Sequence, residues 1–300
     1  MTSLRAHVFN WIIRWQVRPK IARAGGDVAA IRRVMNQASF PDLPGLDFRA
    51  GEVGGVPGEW VARPDLAPDA PRLLYLHGGG FIACSPRTHR PLTGGFAARG
   101  LRVFCPDYRL APEHPFPAAL DDAVACWSAF AAAGPAGVAG DSAGGNLALA
   151  LMLRARRDGL PLPDAAVLFS PSTDMLGRGD SMRTNARRDA MFEPDKLQHL
   201  VDLYLAGHDP EDPLASPVNG DPAGLPPLLF HVGAREVLRD DSVRFAEKAR
   251  RAGVDATVKV WPVVPHVWQL AHGFLPEGRR SLSEAAAFLK AHAGVPEAVR

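Results

Sequence analysis

Gly137-Val138-Ala139-Gly140-Asp141-Ser142-Ala143-Gly144, running on into Asn146-Leu147-Ala148-Leu149-Ala150-Leu151-Met152-Leu153, is the stretch that decides the fold. An apolar run of strand character gives way to a helical pattern, and Gly140 to Gly144 must reverse the chain between them. A G-x-S-x-G turn holds its central residue in strained backbone geometry, while its glycines let neighbouring backbones approach. Ser142 Oγ would then stand exposed and able to attack an electrophile. The same five residues also fit an ordinary strand-to-helix loop in a Gly/Ala-rich chain, so the reading depends on what else the sequence supplies.

Upstream, the apolar run Leu73-Leu74-Tyr75-Leu76 ends in His77-Gly78-Gly79-Gly80-Phe81. A glycine triplet at the end of a buried strand lets successive N–H groups converge on one point, as stabilising the oxyanion of a tetrahedral acyl intermediate requires. A phosphate-cradling loop would need G-x-G-x-x-G or G-x-x-x-x-G-K-[ST] opening a helix, and neither pattern occurs here. Strand-like runs at 72–76, 101–105, 136–139, 165–169, 227–232 and 256–261 alternate with helical stretches. That alternation predicts right-handed βαβ units and a mostly parallel sheet. Residues 46–62, with their Gly-Gly and Pro-Gly punctuation, predict an antiparallel hairpin on one sheet edge.

A third block, Asp107-Tyr108-Arg109-Leu110-Ala111-Pro112-Glu113-His114-Pro115-Phe116-Pro117-Ala118-Ala119-Leu120-Asp121-Asp122, lies between these two motifs. With all three in this order, the chain resembles the hormone-sensitive-lipase-like family of α/β-hydrolases, which includes many bacterial carboxylesterases, from about residue 40 to 295. The resemblance implies an α/β-hydrolase fold, with a mostly parallel central sheet flanked by helices and a helical cap. It also implies hydrolysis of short- to medium-chain carboxylic esters through an acyl-enzyme. The third block itself reads as structural, because Pro112, Pro115 and Pro117 forbid regular structure until a helix starts at Ala118. Asp107, Arg109, Glu113 and His114 are expected to form a charged network bracing the glycine loop, and Asp141 to act as a positioning group.

A serine hydroxyl needs a histidine base and an acid to orient it, and in this fold the chain order is Ser, acid, His. Six histidines follow Ser142: His199, His208, His231, His266, His272 and His292. His266 is best placed, in the loop after the strand Thr257-Val258-Lys259-Val260-Trp261 and ahead of a final helix around 282–292, which is also the family's setting. His272 is its local competitor and reads as a surface loop residue. The acid is expected after Leu228-Leu229-Phe230-His231-Val232, where Glu236, Asp240 and Asp241 are candidates. Many relatives carry Asp-Pro-Leu there; aligning that tripeptide selects Glu236, with Asp240 second. Asp240 and Asp241 otherwise read as favourable charges at the start of a helix over 243–252. Ala143 and the triplet Gly78, Gly79 and Gly80 are the expected oxyanion hole, the resemblance favouring Gly79 and Gly80 as donors and Gly78 as shaping the turn. His77 is expected to organise the loop and not to serve as a second base.

Three hundred residues with 47% apolar content can fill one large core. The expected organisation is a catalytic domain of residues 46–172 and 226–300, capped by N-terminal helices in 1–45 and an insertion at 173–225. Phe9-Trp11-Ile12-Ile13-Trp15 reads as a packed cap helix, with a membrane-surface anchor flanked by Arg5, Arg14, Arg18 and Lys20 as the alternative. No signal peptide or transmembrane span is legible. A formal charge of +2 without an aromatic-interleaved basic cluster argues against nucleic acid. Cys84, Cys105 and Cys126 read as reduced thiols of a cytoplasmic protein, with Cys84 expected to line the pocket. No spacing suits a metal, and the chemistry needs no cofactor. The expected partner is a small-molecule ester, and relatives often form a homodimer. The same machinery acting on amides, lactones or acetylated substrates is the nearer alternative. A non-catalytic binding protein on this fold is the remoter one, since receptor relatives lack the histidine that His266 supplies.

Overall fold

Short runs buried on both faces make the inner strands, and an alternating run makes the edge hairpin. In a computed structural model, which describes residues 2–36 and 40–294, they assemble into an eight-stranded sheet of order β1-β2-β4-β3-β5-β6-β7-β8. The strands are β1 (Asp47–Val53), β2 (Val56–Ala62), β3 (Arg72–Leu76), β4 (Arg102–Pro106), β5 (Ala136–Asp141), β6 (Ala166–Phe169), β7 (Leu228–Gly233) and β8 (Ala256–Trp261). β1 and β2 form the expected antiparallel edge hairpin, and β2 joins β4 antiparallel. Gly54 and Gly55 turn the hairpin at φ +62° and +78°, which only glycine adopts without strain. From β4 to β8 every pairing is parallel. β5, β6 and β7 are buried at every residue, as a parallel sheet covered on both faces requires.

The helices are α1 (Leu4–Ile12), α2 (Arg18–Ala24), α3 (Val28–Met35), α4 (Arg90–Ala97), α5 (Ala118–Ala132), α6 (Ala143–Arg157), α7 (Asp180–Thr184), α8 (Pro194–Leu205), α9 (Arg239–Arg251) and α10 (Pro276–His292). One face of the sheet packs under α5, α6 and α9 through Trp127, Leu147, Leu151 and Phe245; the other packs under α4 and α10 through Leu92, Phe96, Leu282 and Leu289. α9 and α10 begin earlier than the hydrophobic pattern suggests, because Asp240 and Asp241 fit the first turn of α9 and Pro276 the first turn of α10.

Two helical segments lie outside this alternation: α1–α3, and the insertion between β6 and β7 that carries α7 and α8. A π-helical turn, Ile13–Val17, joins α1 to α2, with Arg18 N bonded to Ile13 O. Pro19 has no N–H to give, so the ladder is re-spaced just before it. The Arg18 guanidinium ties the two segments together, donating to Asp189 O at 2.6 Å and Ala186 O at 3.1 Å and pairing with Glu193 at 3.3 Å.

Candidate active site

At the end of β5 the chain turns through Ser142 at φ +54°, ψ −119°, the residue that caps α6. A non-glycine residue there is strained by about 1–3 kcal/mol, offset by its surroundings. Ser142 N donates to Phe169 O at 2.9 Å, and Ser142 O accepts from Ser172 N at 3.2 Å. Gly144 lets the start of α6 press on the end of β3, since a Cβ there would strike Leu76 O and His77 O.

β3 delivers the glycine loop beside this turn. Gly79, Gly80 and Phe81 all take positive φ, at +123°, +62° and +63°. Gly78 N donates to Asp141 Oδ1 at 3.1 Å and is therefore engaged. The N–H groups of Gly79, Gly80 and Ala143 meet no acceptor among the described residues. Asp141 is a buried brace: Oδ1 accepts from Tyr75 OH at 2.7 Å, and His89 Nε2 lies 3.4 Å away. Burial alone would raise its pKa, but His89 and the Tyr75 hydroxyl hold it below the ordinary value. His77 bonds Gly78 O through Nδ1 at 2.7 Å, and burial followed by the neighbouring His89 pushes its pKa down to about 3, which keeps it neutral.

The expected charged network does not form. Arg109 pairs with Asp122 and Glu113 with Arg32, each at 2.7 Å. The bracing comes from Tyr108, whose OH donates to His77 O at 2.6 Å while its ring stacks on that imidazole at 4.2 Å, and from Ala111 N on Phe81 O at 2.9 Å. Arg32 of α3 adds a bond to Ile82 O at 2.7 Å. A phenol, one backbone N–H and the Arg32 guanidinium reach the loop, while the side chains of Asp107, Arg109, Glu113 and His114 are exposed.

At the same end of the parallel strands, Glu236 and His266 meet in the loops after β7 and β8. Glu236 is 2% exposed, and its Oε1 accepts from Gly233 N at 2.6 Å and Ser170 Oγ at 2.8 Å. Oε2 accepts from His266 Nδ1 at 2.7 Å. With Nδ1 donating, the neutral imidazole carries its lone pair on Nε2, which is buried and has no partner. Burial opposes the imidazolium, yet the Glu236 hydrogen bond and charge outweigh it, and the His266 pKa is raised.

Residues of the insertion clasp this acid loop. Asn185 Nδ2 donates to Ala234 O at 3.1 Å and Glu236 O at 2.9 Å, Ser181 Oγ to Val237 O at 2.5 Å, and Val237 N to Asp189 Oδ2 at 2.8 Å. Phe192 sets its ring edge-to-face against His266 at 4.9 Å. Asp240 instead bonds Arg239 and Ser181 N, each at 2.7 Å. Asp241 is buried, accepting from Thr173 N at 2.6 Å, and burial pushes its pKa up to about 7. His272 is not the surface residue expected. It is buried and bonded to Pro91 O at 2.9 Å, because Gly95 leaves room for its ring and Gly278 for its backbone between α4 and α10.

Ser142, Ala143, Gly80 and Phe81 border a cavity of about 40 Å³ whose other walls include Met175, Met182, Leu197, Leu200 and Leu238. Cys84 does not line it. The backbone there turns at φ +74° with its N–H on Asn36, and burial lifts the thiol to about 12. Among the described residues no group of three or more His, Cys, Asp or Glu could hold a metal, and no helix is long and apolar enough to cross a membrane.

A family model described as the alpha/beta hydrolase fold matches residues 73–270. A crystal structure of the esterase EstE5 soaked with ethyl alcohol superposes at a TM-score of 0.91 with 37% identity, covering 97% of this chain and 99% of that one. An esterase from the bacterial hormone-sensitive lipase family superposes at 0.88 with 38% identity over the same shares. The chain belongs to the hormone-sensitive-lipase-like family of α/β-hydrolases. As a member of that family it is a carboxylic-ester hydrolase. This α/β-hydrolase is also 45% identical over 247 residues to an acetyl-hydrolase of Streptomyces hygroscopicus, covering 81% of this chain and 82% of that protein. It is 36% identical over 267 residues to an esterase of Acinetobacter venetianus, covering 86% and 88%.

Proposed function

We propose that Ser142, His266 and Glu236 are the catalytic triad of this ester hydrolase, with Ala143, Gly79 and Gly80 donating to the oxyanion and Gly78 shaping the turn. The observation that carries this reading is the buried Glu236–His266 pair, which directs an unpartnered Nε2 lone pair away from the acid. His266 takes the proton of Ser142 Oγ as that oxygen attacks the ester carbonyl. The tetrahedral oxyanion accepts from the backbone N–H groups, each worth about 3 kcal/mol of transition-state stabilisation. Alcohol leaves with the proton from His266, and water repeats the sequence on the acyl-enzyme.

The described residues of 1–45 and 173–225 form a cap over those of 46–172 and 226–300 in this reading. The Arg18 bonds and the α8 side chains in the cavity wall support it. Short acyl groups are the proposed substrates, because the cavity beside Ser142 is small and walled by Met175, Met182, Leu197, Leu200 and Leu238, and one relative is named an acetyl-hydrolase. Three buried, unpaired thiols support a reducing, cytoplasmic setting. Hydrolysis of p-nitrophenyl esters from acetate to palmitate, on wild type, Ser142→Ala, Glu236→Gln and Asp240→Asn, tests the whole reading. Activity should peak at short chains, vanish in Ser142→Ala and fall far more in Glu236→Gln than in Asp240→Asn. A crippled Asp240→Asn beside a healthy Glu236→Gln overturns the acid assignment, and a wild type inactive on every ester overturns the substrate.

A further inference from the structure

Helix α1 has two apolar faces and buries one. Ala6 and Phe9 turn inward on a cluster with Trp261 and Trp268, and the N-cap Ser3 is clamped to Glu277 through bonds of 2.6 and 2.9 Å. The helix is therefore fixed in place. Leu4, Val8, Trp11 and Trp15 recur at the spacing that puts residues on one helical stripe, and they are 79%, 50%, 58% and 62% exposed. Phe274, 40% exposed and packed edge-on against Phe9 at 5.2 Å, widens the patch.

The charges carried by this segment itself have one sign. Residues 2–26 hold Arg5, Arg14, Arg18, Lys20 and Arg23 and no Asp or Glu. Arg14 and Arg18 are engaged with the insertion, but Arg5, Lys20 and Arg23 are exposed. Arg187 and Arg188, next to the Ala186 carbonyl that Arg18 holds, are exposed too. Lys20, Arg23, Arg187 and Arg188 make no ion pair among the described residues. A second copy docked stripe to stripe would bring these cationic flanks against their own equivalents.

We propose that this face docks onto an anionic lipid surface. Indoles sit well at headgroup depth, aliphatic side chains enter the acyl boundary, and the cations meet lipid phosphates. The test is co-sedimentation with vesicles of phosphatidylcholine alone and of equimolar phosphatidylcholine and phosphatidylglycerol, at low and high salt, with sedimentation velocity run alongside. The expected result is binding to the anionic vesicles that weakens with salt. It should fall about tenfold or more in Trp11→Ser/Trp15→Ser and likewise in Lys20→Glu/Arg23→Glu, whose exposed sites leave folding intact. Unchanged melting temperature and soluble-ester cleavage confirm that the variants are folded. Absence of vesicle binding overturns the proposal, as does equal binding to both vesicle types. A dimer broken by Trp11→Ser/Trp15→Ser without vesicle binding assigns the face to a second copy instead.

Discussion

The glycine loop and the serine turn, at the ends of β3 and β5, owe their close backbone approach to glycines, with Tyr108 and Asp141 bracing them from outside. The loops after β7 and β8 are held by carboxylates, hydroxyls and an amide reaching from other segments. On the first side a Cβ at Gly144 would collide with backbone, and three successive residues from Gly79 turn at positive φ. On the second side Glu236 is fixed by Ser170, 66 residues away, and pairs with His266 across 30. A backbone-built half is damaged by adding atoms, and a side-chain-built half by changing a functional group while preserving its shape.

The largest test of that contrast is Glu236→Gln, nearly isosteric with glutamate. It should lower kcat on a short-chain ester by about 10⁴-fold through the wrong imidazole tautomer, with melting changed little. Next comes Gly80→Ala, where φ is +62° and a new Cβ would stand 2.9 Å from Leu200 Cδ1. A loss of about 100-fold in kcat is expected as the N–H is displaced. Adding Leu200→Ala should restore only part of it, because the φ penalty stays; full recovery would mean that contact, and not backbone shape, sets this half.

The third prediction concerns pH. In its proposed role as base His266 must be neutral to act, and its raised pKa keeps it protonated to higher pH, so the acid limb of kcat/KM should lie above the ordinary 6.5. In Glu236→Gln that limb should move down. By the same linkage the stability this pair contributes is full below 6.5 and is lost as pH rises through the folded value. The smallest effect is expected for Tyr108→Phe, which keeps the stack on His77 and removes the 2.6 Å bond to its carbonyl. About 1 kcal/mol of stability, a fall of roughly 2–4 °C in melting temperature, should go with it.

The same contrast explains what the sequence made legible. Gly140 to Gly144 and the Gly78–Gly80 triplet are contiguous, so backbone requirements leave a local pattern, and the parallel sheet follows from short apolar runs between helices. Glu236 is distinguished from Asp240 only by an aligned tripeptide, because nothing local separates two carboxylates four residues apart. Only the folded chain turns one toward His266 and the other toward Ser181. Tyr75, Tyr108, Ser170, Asn185 and Asp189 carry no local mark at all, since each acts on a loop distant in sequence. Tyr108 lies within residues 107–122, where the charges of its neighbours suggest an ion-pair network that the fold directs to Asp122 and Arg32 instead.

Asn185, Ser181 and Asp189 bind the backbone on both sides of Glu236, and Phe192 leans on His266. The segment that borders the pocket and the loop that carries Glu236 are therefore one structural unit. A chimera that grafts residues 173–225 from a relative onto this scaffold should reshape substrate choice only if residues 234–238 travel with the graft. Moved alone, the segment would change the pocket and shift Glu236 and His266 in the same stroke.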